Sequence, residues 1–123
     1  MLFRFRKFRV YQEAQTFRKE IYRISRSFPK DELYALTSQI RRAAMSICLN
    51  IAEGSNRSSD IDFARFLNQS ITSLEEVVAC FDAALDEGYI TKVIYQDVLG
   101  KAESLGKQLL SFYKKLKAHG SEL

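Results

Sequence analysis

The chain has 123 residues, with 19 basic against 15 acidic and a net charge of +4. That length suits one core and one domain, and the mildly basic balance fits an acidic partner without requiring one. One histidine and two scattered cysteines leave almost no material for a zinc site or a histidine-based triad, and the longest apolar run is about half a membrane span.

The opening MLFRFRKFRVYQEAQ has the positive charge of a secretory leader but no apolar stretch behind it, so a cytoplasmic protein without a membrane segment is expected. Residues 1–7 read as a basic N-terminal arm. From Val10, apolar or small residues recur at Ala14, Phe17, Ile21, Ile24 and Phe28 in steps of four and three, the stripe of a first helix that Pro29 ends. A second helix is expected from Asp31 as N-cap, with Leu33, Leu36, Ile40, Ala44, Ile47 and Ile51 on its core face and Gly54 as its C′ residue. The third has the cleanest register: Ala64, Leu67, Ile71, Leu74, Val78, Phe81 and Leu85, entered through Ser59 with Asp62 three residues on, and closed by Gly88. Thr91 can cap a fourth, with the stripe Ile94, Val98, Leu105, Leu109, Phe112 and Leu116 and with Gly100 and Gly106 inside it; residues 118–123 read as a tail. Cys48 and Cys80 fall within helical patterns, outside any CxxC spacing, and read as buried thiols. Short connections and heptad-like spacing then give an all-α, up-down-up-down antiparallel four-helix bundle in a single domain, residues 1–123.

The second helix carries more than one apolar face. Opposite its core stripe stand Met45, Cys48, Leu49 and Ala52, and between them runs a polar stripe of Gln39, Arg42, Ser46, Asn50 and Glu53. A helix apolar on two sides is usually covered on two sides, so a subunit interface is expected along it. Glu53 sits at the helix C-terminus, where the dipole disfavours a carboxylate, and needs a cation. Arg42, eleven residues earlier, is about 16 Å away along the axis; Arg57 or a neighbouring subunit's arginine is the candidate. Glu53 as a general base with Asn50 orienting it lacks a nucleophile or second carboxylate, and EGSNRSS as a phosphate cradle has one glycine, no following lysine, and Asp60 and Asp62 in the way. No enzyme, cofactor or metal is expected.

Charge is unevenly placed. Residues 59–87 hold seven carboxylates against Arg65, whereas the first 26 residues hold eight cations against Glu13 and Glu20. The start FRFRKFR offers both stacking faces and phosphate neutralisers, so Arg4, Arg6, Lys7, Arg9, Lys19, Arg23 and Arg26 are candidates for nucleic-acid binding. The plainer reading is an anchoring arm whose Phe side chains dock while Arg stays solvated.

Residues 8–90, and most specifically QIRRAA, SICLNIAEG with Arg57 following, and FARFL, resemble the bacterial four-helix-bundle proteins first noticed as reading frames in intervening sequences of 23S ribosomal RNA genes. The group is distantly similar to accessory proteins of diversity-generating retroelements. Gln39, Arg41, Arg42, Asn50, Glu53, Gly54 and Arg57 match the family's motif. The chain departs from it at Ala35, where the family usually has glycine, at Cys48, often proline, and at Thr72 before Ser73, where glycine precedes serine. The resemblance implies a homo-oligomer, in known members a ring of five, with no assigned enzymatic activity, and a nucleic acid or reverse-transcriptase-like protein as partner. The expected function is a non-enzymatic ring-forming scaffold or adaptor; the alternative is a nucleic-acid-binding accessory protein.

Overall fold

The computed structural model of the chain describes residues 2–121. Among these it has four α-helices and no strand: α1 (Arg9–Ser25), α2 (Leu36–Ser55), α3 (Asp60–Asp86) and α4 (Lys92–Ser121), with 3₁₀ turns at Arg4–Lys7 and Lys30–Glu32. Met1 and residues 122–123, the ends of the expected arm and tail, lie outside the described residues.

The α1 stripe is buried throughout, Phe28 included. The helix stops at Ser25, before Pro29, and the hydroxyls of Ser25 and Ser27 donate to the carbonyls of Tyr22 and Ile24 at 3.1 and 2.9 Å, occupying acceptors that a further turn would have used.

The start of α2 corrects the expectation by four residues, the N-cap falling at Ala35. The segment after Pro29 winds into a 3₁₀ turn instead. Glu32, not Asp31, serves the helix end: its Oε1 accepts from the Leu36 backbone N–H at 3.3 Å and its Oε2 accepts from the Tyr89 hydroxyl at 2.8 Å. Leu33 is thereby left off the helix and out of the core. Gly54 is a second correction. It is the penultimate residue of α2, not a left-handed C′ residue, and is buried against α3.

At α3, Ser59 Oγ accepts from Asp62 N–H at 3.1 Å. The Asp62 carboxylate does not reciprocate but takes Arg65 at 2.5 Å. The helix closes in a Schellman turn, with Gly88 at φ 76°, Tyr89 N–H on Ala84 O at 2.8 Å and Gly88 N–H on Leu85 O at 3.0 Å. A second line, Phe63, Phe66, Ser70, Val77, Cys80 and Ala84, is buried beside the expected one, so α3 is covered by both α2 and α4.

Thr91 Oγ1 accepts from Ile94 N–H at 3.2 Å and opens α4, which contains Gly100 and Gly106. The helix runs through Ser121, so residues 118–121 are helical rather than a tail. That end is held by His119 on the Asp60 carboxylate and by Gly120, where a Cβ would come within 2.6 Å of Ile61.

Contacts between neighbouring helices pair descending with ascending residue numbers: Gln39 with Glu76 and Ser46 with Ser73 across α2 and α3, Glu13 with Gln108 and Glu20 with Lys101 across α1 and α4. Both cysteines are buried and free. Among the described residues no helix is long and apolar enough to cross a membrane.

Candidate functional site

The residues of QIRRAAMSICLNIAEGSNR separate into two groups once folded. One group fastens the bundle. Arg41 donates from Nε to Ser25 Oγ at 2.8 Å and from Nη2 to Tyr22 O at 3.4 Å, with its guanidinium 5.3 Å from the Tyr22 ring centre. It thus neutralises the C-terminal end of α1 while satisfying a buried hydroxyl. Ser46 Oγ accepts from Ser73 Oγ at 2.9 Å and from Asn50 Nδ2 at 3.0 Å; Gln39 donates to Glu76 at 2.6 Å. The fully buried Ser70 donates to Ile47 O at 2.9 Å. Small residues at 70 and 73 let α2 approach α3 closely despite Thr72.

Arg57 belongs to the same group. Its guanidinium lies 4.4 Å from the Phe66 ring centre and 3.9 Å from Asp62, so it closes the α2–α3 corner and is not the cation that Glu53 needs. Cys48 is a further departure: expected on the outer flank with Met45, Leu49 and Ala52, it is buried inside the subunit and bonds Ala44 O at 3.8 Å. Burial pushes its thiol pKa up to about 11.

The second group faces outward. Arg42, Met45, Leu49 and Glu53, with Arg41, Ser46 and Asn50 of the first group beside them, line a groove of about 680 Å³ along α2 whose wall includes Tyr22, Leu33 and Tyr34. Its rim is apolar and open to water: Tyr34 is 93% exposed, Leu49 53% and Leu33 48%. A second hollow, of about 410 Å³, meets it at Glu53 and adds Leu2 and Phe3, which are 82% and 64% exposed. Neither Arg42 nor Glu53 has a side-chain partner among the described residues. Two unpaired opposite charges therefore mark one apolar groove, about 16 Å apart along α2.

The N-terminal candidates scatter. Phe5 packs on Tyr11 at 4.9 Å and Phe8 on Phe63 at 6.1 Å, as an arm anchored by its phenylalanines would, but Phe3 stays exposed and Arg4 is docked as well, donating from Nε and Nη2 to Ser55 O at 3.0 and 2.7 Å beside the Phe8 and Phe63 rings. On α1, Arg9 and Arg23 pair with Glu13 and Glu20, at 2.9 and 2.7 Å. Arg6, Lys7, Lys19 and Arg26 are exposed. Arg41 stands in the sequence pattern only as a motif match, with no role assigned, because helical period alone does not say which of the two adjacent arginines faces α1. Among the described residues no group of three or more His, Cys, Asp or Glu side chains stands close enough to hold a metal ion.

The family model described as 23S rRNA-intervening sequence protein matches residues 6–111. The crystal structure of a protein with unknown function from the S23 ribosomal protein family, from Bacteroides thetaiotaomicron VPI-5482, is similar with a TM-score of 0.78 at 24% identity, over 85% of this chain and 98% of that one. At that identity the likeness is one of fold. No curated protein matches the chain.

Proposed function

The chain belongs to the 23S rRNA-intervening sequence protein family, and from that premise we propose a non-enzymatic cytoplasmic scaffold or adaptor: an up-down-up-down antiparallel bundle whose copies join through the α2 groove into a ring, with five members as the family resemblance implies. The observation that carries this reading is the unpaired couple Arg42 and Glu53 in a groove bordered by exposed Tyr34, Leu49 and Leu33. The descending–ascending side-chain pairs support the antiparallel order. Surface area points the same way. The chain exposes 7660 Å², whereas a compact monomer of 14.2 kDa exposes about 6,800 Å².

A closed ring needs heterologous contacts, so Arg42 and Glu53 meet different residues of the neighbour; in a two-fold dimer they would meet each other. Size-exclusion chromatography with light scattering tests both points. The expected mass is about five times 14.2 kDa. Arg42→Glu and Glu53→Arg should each dissociate the assembly, Lys19→Glu should not, and combining the two charge reversals should fail to restore it. A monomer at micromolar concentration overturns self-association, and restoration by the double reversal overturns the ring.

The second reading, nucleic-acid binding, draws on a different surface, where α1 begins and α4 ends.

A further inference from the structure

We propose that the groove between the start of α1 and the C-terminal half of α4 binds a single-stranded polynucleotide, with Lys107 and Lys115 neutralising phosphates about two nucleotides apart and Phe8 and Phe112 offering their rings to bases. This rests on the nucleic-acid reading, places it away from Lys19, Arg23 and Arg26, and is independent of self-association.

The groove holds about 450 Å³, and no carboxylate lines it. Between Glu103 and Ser121, α4 carries Lys107, Lys114, Lys115 and Lys117 and no acidic residue. Neither Lys107 nor Lys115 has a partner among the described residues. Eight positions separate them, about 12 Å along the helix. A row of charge at that spacing suits a repeating polyanion; one phosphate group would need converging donors.

Arg9 completes the rim from the other side. Glu13 accepts from Arg9 Nε at 2.9 Å and also from Gln108 Nε2, so one carboxylate positions both across the α1–α4 seam and leaves the terminal guanidinium nitrogens of Arg9 toward solvent. That exposed pair contributes little stability; its effect is placement. α1 also begins here without a side-chain cap or an acid in its first turn, which leaves its leading N–H groups favourable to an anion.

The floor separates polynucleotide from simple polyanion. Phe8 and Phe112 are partly exposed, with ring centres 5.7 Å apart and planes nearly perpendicular, and both rest on buried Phe63 at 6.1 and 5.2 Å. Rings held by a buried neighbour give stacking surfaces at low entropic cost, and unpaired bases use such surfaces while duplex bases do not.

Fluorescence anisotropy of the full chain with a labelled single-stranded RNA of about 20 nucleotides, at 50 and 200 mM KCl, tests the site. Three phosphate contacts predict binding at low salt that weakens about 20-fold at the higher salt. Lys107→Glu/Lys115→Glu should weaken binding at least tenfold at 50 mM, and the glutamine pair should show the same trend in case charge reversal disturbs folding. Lys19→Glu/Arg26→Glu should stay within twofold, and Phe112→Leu should weaken binding with the salt slope unchanged. If the RNA binds but the lysine variants match the parent, the groove assignment fails while the nucleic-acid reading survives; no binding at 50 mM ends both. Equal competition by poly-glutamate or by an RNA duplex overturns the single-strand assignment.

Discussion

A Cβ placed on Gly54 would lie 2.7 Å from Cδ1 of Phe63, and the same distance from Cβ of Phe66. The Phe63 ring can turn, but the Phe66 Cβ is fixed to its backbone, so relief requires α2 and α3 to separate. Gly54→Ala should destabilise the protein by up to about 2 kcal/mol, since overpacking costs about 1–3 kcal/mol and the helix-propensity gain returns roughly 1. The urea midpoint measures it; a stabilised variant would mean the corner is looser than described.

Arg41 joins α1 to α2 through Ser25 and Tyr22, and removing it leaves a buried serine and a helix-end carbonyl without their charged donor. Arg41→Ala is expected to cost about 1.5–3 kcal/mol. Lysine in its place should recover only part, because one ammonium cannot reproduce the planar fork or lie flat on the Tyr22 ring. Chemical denaturation of the three proteins compares them.

Burial raises both thiols, Cys48 to about 11 and Cys80 in the same direction, with Glu76 adding to the latter. At pH 8 a thiol of pKa about 11 is roughly one part in a thousand thiolate. Neither cysteine should react with a thiol reagent on the time scale of minutes in the native protein, and both should react at once in denaturant. Rapid native labelling of one cysteine would place it outside the core.

Glu13 and Glu20 tie α1 to α4. Glu13 is held below the ordinary carboxylate range first by the Gln108 hydrogen bond and then by Arg9, Glu20 first by Arg23 with Lys101 adding to it. A depressed carboxylate contributes stability above its unfolded pKa, about 4.3, and loses it as pH falls through the lower folded value. Glu13→Gln/Glu20→Gln should therefore be less stable than the parent at pH 7 and converge with it near pH 3. Urea melts across that window check this, and a constant difference would assign the effect to packing.

The amino-acid pattern by itself fixes much of this protein. Heptad steps, Ser59, Gly88 and Thr91 determine four helices and most of their ends, because apolar periodicity and capping are local properties. Burial of the α1 stripe and of Cys80 follows from the same pattern; that Cys48 is buried too was legible, but not that it lies inside the subunit. Local chemistry misplaced the start of α2, since Glu32 becomes a cap only when Tyr89, fifty-seven residues later, anchors its other oxygen. It also gave Gly54 a conformational role, when the glycine is needed for what stands opposite it. The polar stripe was legible as one face, but only tertiary packing divided it, into Gln39, Ser46 and Asn50 bonded inside the subunit and Arg42 and Glu53 left unpaired. Lys107 and Phe8, ninety-nine residues apart, share a groove for the same reason: helical period assigns a residue to a face, and the packing of neighbouring helices decides which faces meet.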